Sequence, residues 1–273
     1  MHTYTIKPRR ELQTYIERYW GWESADDVRL PTLLPGTGAE LIFHYGAPFI
    51  VASSEDDAFL RVSLAHLLCV RSRPYCLRAC LPLGFLAVRF RAGAFRHFCR
   101  ISLEELNDST CGIGDIWGKA GQELAQRIGD APTLQARIDY LESHLLECFS
   151  RYAQTNAYID IALNQLYCHH NVVQIESLAK QMRMSRRHFE RTFKNTVGVS
   201  PKLFQRLSRF QQTVRDLLLA NETSYLPMAL AHGYYDQSHF IKEFRALAQD
   251  TPSSFLQPAT FLSHFYNKSM TLL

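Results

Sequence analysis

No apolar stretch of the sequence runs unbroken for anything near the ~18 residues of a membrane-spanning helix, so a helical span is excluded and no membrane partner is expected. It also has no glycine-rich phosphate loop, no G-x-S-x-G nucleophile turn and no H-E-x-x-H pair. Gly112-Ile113-Gly114 lacks the strand and third glycine of a dinucleotide site. With no carrier for these chemistries, the expectation is a protein that is not an enzyme and takes no cofactor. Cysteine occurs seven times, but only Cys76-x3-Cys80 has a paired spacing, and structural zinc takes two such pairs. No metal is expected. The odd, irregular set reads as reduced thiols serving as small buried hydrophobes in a cytoplasmic protein. His44 and His66 each stand alone and read as ordinary histidines rather than ligands. Met1–Lys7 lacks a charged head followed by an apolar run, so no secretory leader is expected there.

What remains is a globular composition, 47% apolar and 21% charged. The formal charge of +4 is unevenly spread. Residues 1–155 hold 17 Lys/Arg against 18 Asp/Glu, whereas residues 156–273 hold 13 against 8. All of the basic excess is C-terminal, as a part that meets a polyanion requires.

The N-terminal part reads as α+β, a small β-rich sensor or dimerisation domain plus helices, over residues 1–150. Glu40–Tyr45 and Phe85–Phe90 are short runs of branched and aromatic residues punctuated by Gly36, Gly38, Gly46 and Gly84, which predicts strands. Leu12–Trp20 fits a helix or an edge strand equally. Helical periodicity is read from Ser102 to Phe149, with Leu124, Ile128, Leu134, Ile138, Leu141 and Leu145 inward. Trp20, Trp22, Phe43, Tyr45, Phe49 and Phe85 are enough aromatics to line a small-molecule pocket or simply to fill a core. Polar Ser150–Asn156 is the expected boundary.

From 156 to 260 the pattern is all α. Ile159, Ala162, Leu163 and Leu166 mark a first helix. Ile175, Leu178, Ala179 and Met182 give one face of a short second helix, and Ser185 can cap a third by accepting from a free N–H. In that third helix Phe189 and Phe193, at i and i+4, turn inward and leave Arg186, Arg187, Glu190 and Arg191 outside. A short helix, a tight turn and a basic exposed helix are the parts of a helix-turn-helix, here about 175–195. Gly198 stops the chain and Ser200-Pro201 restarts it. Leu203, Leu207, Phe210, Val214 and Leu217 then step by 4, 3, 4, 3 along one amphipathic linker helix, about 201–220. The device returns over about 227–248: a short helix from Pro227, Gly233 as its turn, Asp236 as cap, Phe240 and Phe244 inward, and Thr251-Pro252 in place of Ser200-Pro201. Gln237, Ser238, His239 and Lys242 face out.

This C-terminal part resembles the AraC/XylS family of bacterial transcription regulators. The resemblance rests on Leu178-Ala179, Met184-Ser185, Phe189, Phe193-Lys194 and Gly198–Pro201 in the first unit. In the second it rests on Ala229, Gly233-Tyr234, Asp236–Phe240, Phe244-Arg245 and Pro252. Arg183 departs from it where the first turn often has glycine, and Gln249-Asp250 replaces a glycine and a hydrophobic residue after the last helix. Residues Tyr15–Trp22, Leu34–Phe43 and Leu86–Phe95 resemble a domain of unknown function that often precedes such a DNA-binding domain. The resemblance implies two recognition helices in successive major grooves and an N-terminal domain that senses a signal, dimerises, or both.

The candidate DNA-binding residues are therefore Arg186, Arg187, Glu190 and Arg191 in the first unit and Gln237, Ser238, His239 and Lys242 in the second. Arginine can pair bidentately with guanine, and glutamate can accept from cytosine. Arg206, Arg209 and Arg215 on the linker helix are expected to be solvated. Double-stranded DNA, RNA polymerase, a small-molecule effector at the N-terminal domain and a second copy of the chain are the expected partners. The alternative is a ligand-independent regulator whose N-terminal domain only dimerises or meets a partner protein.

Overall fold

The computed structural model describes residues 1–52, 58–153, 156–220 and 225–255. Residues 154 and 155 of the expected boundary, and the expected domain end at 260, lie outside the described residues.

The N-terminal part is built on a six-stranded antiparallel sheet. Its strands are β1 (His2–Ile6), β2 (Ile16–Ser24), β3 (Glu40–His44), β6 (Ala65–Leu68), β8 (Leu83–Phe90) and β9 (Thr110–Gly112), ordered β1-β2-β8-β3-β6-β9. A second sheet of β4 (Ile50–Ala52), β5 (Leu60–Arg61) and β7 (Cys76–Arg78) has the order β5-β4-β7. The alternation of side chains along the central strands gives the large sheet two apolar faces. Tyr19, Leu41, Phe43, Leu86, Val88 and Phe90 point to the helices, whereas Trp20, Trp22, Ile42, Phe85 and Ala87 join Phe49, Val51 and Leu33 on the other side.

Two strand expectations hold, at β3 and β8. Leu12–Trp20 is neither a helix nor an edge: one 3-10 turn at Arg10–Leu12 leads into β2, which pairs with both β1 and β8. The helical reading of Ser102–Phe149 is correct only from Ile113. Residues 102–109 form turns, because Asp108, at φ 53°, accepts from the Ser72 N–H and hydroxyl, both at 2.6 Å. Helix α1 (Ile113–Asp130) and α2 (Leu134–Tyr152) follow. Leu124, Ile128, Ile138, Leu141 and Leu145 are buried as read, and Leu134 is half-buried. Glu142 of α2 is buried and accepts from Arg9 (2.6 Å) and Tyr19 (3.1 Å), which pins the helix to the start of the sheet.

The aromatic supply forms core, not a pocket. Trp20, Trp22, Phe49 and Phe85 pack edge to face with centroids 5.2 to 6.0 Å apart and leave only about 10 Å³ of space. His44 and His66 lie in this wall, their rings stacked at 5.4 Å and buried. Burial lowers them to about 3 and about 4, so both are neutral.

The C-terminal part is all α: α3 (Ala157–Cys168), α4 (Ile175–Gln181), α5 (Arg186–Val197), α6 (Pro201–Ala220), α7 (Leu226–Ala231), α8 (Gln237–Ala248) and α9 (Pro252–Phe255). Its core is continuous with the helix-facing side of the large sheet, in one apolar cluster that runs from Leu12 to Phe255. Among the described residues no helix is long and apolar enough to cross a membrane.

Candidate nucleic-acid interface

Each helix-turn-helix unit is fixed by the same three devices. Ser185 accepts from His188 N–H (3.3 Å) and Asp236 from His239 N–H (2.7 Å), so α5 and α8 start at defined residues. The turns before them need a left-handed residue, supplied by Gly233 at φ 83° and by Arg183 at φ 54°. Phe189, Phe193, Phe240 and Phe244 are fully buried and orient the helices. Ser200 and Thr251 cap the helices that follow, and Gly198 (φ 87°) and Gln249 (φ 58°) end the recognition helices.

Arg186, Arg187 and Arg191 are exposed, and Glu190 is half-buried. Arg186 is tied to Glu190 at 2.9 Å, and Arg191 donates to His188 Nδ1 at 3.4 Å. Gln237, Ser238 and Lys242 are exposed, and His239 is half-buried. Tyr235, the residue before the second cap, is 87% exposed.

The expectation for the linker helix needs correction. Arg209 is not a solvated charge and Arg206, although its side chain is 40% exposed, is tethered: both bond Glu243 of α8, which also accepts from the Tyr234 hydroxyl at 3.0 Å. Arg215 is half-buried. Of the expected apolar stripe, Leu207, Phe210, Val214 and Leu217 are buried and Leu203 only partly. Phe204, Ser208, Gln211 and Thr213 are buried as well, because α6 carries neighbours on several sides. Gln211 Oε1 accepts from Thr37 N–H (3.1 Å) and hydroxyl (3.3 Å), across the junction with the N-terminal part.

A second polar bridge links the two units. His170, just after α3, and His232, just after α7, stack at 5.4 Å and share a bond of 3.2 Å between Nε2 and Nδ1. The outer nitrogens reach Tyr167 O (3.1 Å) and Asp216 Oδ2 (2.9 Å). Burial lowers the pKa of His170.

Three further contacts join the N-terminal part to the first unit. Lys194 of α5 lies 2.7 Å from Glu104, Asn107 donates to Gly198 O at 2.7 Å, and buried Arg96 is paired with Asp160 of α3. Between the sheet and α3 is a cavity of about 550 Å³. Tyr15, Phe90 and Phe149 from the first part and Leu163, Tyr167 and Gln211 from the second are in its wall.

The cysteines are free, and Cys69, Cys99 and Cys148 are buried. Burial raises Cys69 to about 11 and Cys99 and Cys148 to about 12, which keeps them as unreactive thiols. Among the described residues no His, Cys, Asp and Glu cluster of three or more could hold a metal.

A model described as a helix-turn-helix domain matches residues 178–258, and one described as a domain of unknown function, DUF6597, matches residues 4–112. An uncharacterised HTH-type transcriptional regulator of Haemophilus influenzae is 38% identical over 81 residues. That match spans 30% of this chain and 27% of the relative, about a quarter of its length. The structure of ToxT from Vibrio cholerae superposes with a TM-score of 0.50 at 10% identity, covering 87% of this chain and 97% of that one, which is a likeness of fold. By these matches residues 178–258 form an AraC-type helix-turn-helix domain, preceded by a DUF6597 domain over residues 4–112.

Proposed function

We propose that the protein binds DNA sequence-specifically by seating α5 and α8 in successive major grooves, and that its N-terminal domain regulates this binding. The observation that carries the reading is the mounting of both helices on α6. Its 20 residues span about 30 Å, close to the ~34 Å between successive grooves. Arg186, Arg187, Glu190 and Arg191 then read one block, and Gln237, Ser238, His239 and Lys242 the other. The protein works in the bacterial cytoplasm, with RNA polymerase and a second copy of the chain, bound through the N-terminal domain, as further partners. Genome-wide occupancy mapping tests this: discrete, recurrent sites are expected, and uniform coverage would refute it.

The seat of regulation is the cavity at the junction. It is large enough for a drug-sized molecule. Its walls are mainly apolar, but Arg91 and Arg96 also reach it. Arg96 is 97% buried, and its Nε has no hydrogen-bond partner among the described residues. An effector with an apolar body and one anionic head suits these walls, and its head would compete with Asp160 for Arg96. This favours the sensing reading over a ligand-independent one. Thermal stabilisation of the full chain by amphipathic acids, but not by their neutral amides, is the expected result. No stabilisation across such a panel would return the alternative.

A further inference from the structure

The second recognition helix carries two reading groups whose outer hydrogen-bonding positions are already constrained from inside the unit. Tyr235 N–H donates to His239 Nδ1 at 3.2 Å. A backbone N–H can only donate, so Nδ1 is the acceptor and carries no hydrogen. The ring's one hydrogen is then on Nε2, and His239 offers a donor to any further partner. Asp236 holds the His239 backbone at 2.7 Å, so the ring is fixed at both ends of its own residue. Gln237 is committed in the opposite sense. Its Nε2 gives one of its two hydrogens to the Tyr225 hydroxyl at 3.1 Å, and its Oε1, the amide's acceptor, has no partner among the described residues. Tyr225 is itself held against the ring of buried Phe240, with centroids 5.5 Å apart.

We infer that these internal bonds set the polarity of the second unit before DNA arrives: His239 reads as a donor, Gln237 reads as an acceptor, and Tyr225 is a positioning residue for Gln237. The inference rests on the reading that α8 enters a major groove. The base edges follow from groove chemistry. A donor at His239 favours guanine, which shows two acceptors, O6 and N7, over adenine and thymine, which show one each, N7 and O4, and rejects cytosine, which shows only its amino group. An acceptor at Gln237 takes the amino group of adenine or cytosine and rejects guanine and thymine. The block read by α8 therefore contains one position requiring an acceptor edge and a second requiring a donor edge. In the first unit Arg187 has no side-chain partner among the described residues, and its guanidinium meets guanine without such presetting.

The test is selection from a random duplex library by the full chain and four variants, each read as base frequencies in the second block and as affinity for the wild-type site. His239→Lys keeps a donor and should keep guanine at its position. His239→Glu presents only acceptors and should move that position to cytosine or adenine, with at least tenfold weaker binding to the wild-type site. His239→Gln has both groups and should flatten the preference. Tyr225→Phe removes the anchor and should flatten the adenine-or-cytosine position while leaving the first block intact. Circular dichroism of each variant shows that it is folded, and a variant that is not is replaced by Gln237→Glu, which must retain the donor-edge preference. A second block whose bases are unmoved by all the variants, with a uniform loss of affinity, would show phosphate contacts and overturn the inference. Absence of any second block would instead refute the groove reading on which it rests.

Discussion

Glu243 of the second recognition helix accepts from Arg209 of the linker helix on both of its carboxylate oxygens, at 2.9 and 2.8 Å. The guanidinium also lies over the Tyr234 ring at 4.5 Å, and Arg206 adds a further basic bond at 3.2 Å. Glu243 is 8% exposed, so removing a partner leaves a charge in a site with little water. Arg209→Ala is expected to cost about 2–4 kcal/mol, below the full cost of breaking a buried pair because Arg206 remains. Urea unfolding of the full chain measures it, and amide exchange should localise the loosening to α8. A change under about 0.5 kcal/mol would mean that the pair is a surface contact in energy.

Arg187→Ala and Arg191→Ala should each weaken binding to a selected site by about 1–3 kcal/mol. Arg187 should show the larger loss, because Arg191 already spends a bond on His188. Titration at two salt concentrations separates base reading from phosphate contact: a phosphate contact lowers the salt slope, whereas a base contact relaxes specificity.

Acid should destabilise the N-terminal sheet. Burial lowers His44 to about 3, and His66 and His97 to about 4, against 6.5 for the free side chain. The unfolded chain thus binds more protons through the window from about 4 to 6.5, and these residues lower stability as pH falls through it. Each contributes a slope of up to about 1.4 kcal/mol per pH unit. Above about pH 7 they contribute no slope. Urea unfolding from pH 7.5 to 5 checks the direction, and His44→Leu should make the dependence shallower. Equal slopes in the two proteins would show that His44 is not buried neutral.

The junction between the two parts should be energetically coupled. Asp160→Ala leaves Arg96 buried without its carboxylate and should destabilise the chain by about 2–4 kcal/mol. Because one apolar cluster runs through both parts, calorimetry should give a single transition for the wild type and a broader or split one for the variant. Two separate wild-type transitions would contradict the coupling.

The DNA-binding half was legible in the sequence because its elements announce themselves locally. Ser185, Asp236, Gly198 and the two phenylalanine pairs act within a few residues of where they stand, and their roles follow from spacing alone. In the N-terminal half the two helices were legible from their periodicity, but strands only at β3 and β8, where apolar runs are bracketed by glycines. Strand β2 was ambiguous since both of its faces are buried, which erases the alternation that separates strand from helix. The cavity was not legible for a related reason. Aromatics mark core and pocket alike, and only tertiary structure brings Tyr15, Phe149 and Leu163 together. Arg209 reads as solvent-facing because its partner, Glu243, lies 34 residues later in the chain.

The central claim is that one chain reads two different blocks of sequence through two rigidly mounted helices. Random-site selection with the full chain tests it most directly. The outward sets differ, so each bound copy should select two dissimilar short blocks about one helical turn apart, on one face of the duplex, with an unspecified stretch between them. A second copy of the chain should repeat that asymmetric pair as a unit. Selection of a palindrome with a single short block per half-site, or of one contiguous block of four to six base pairs, would contradict the account.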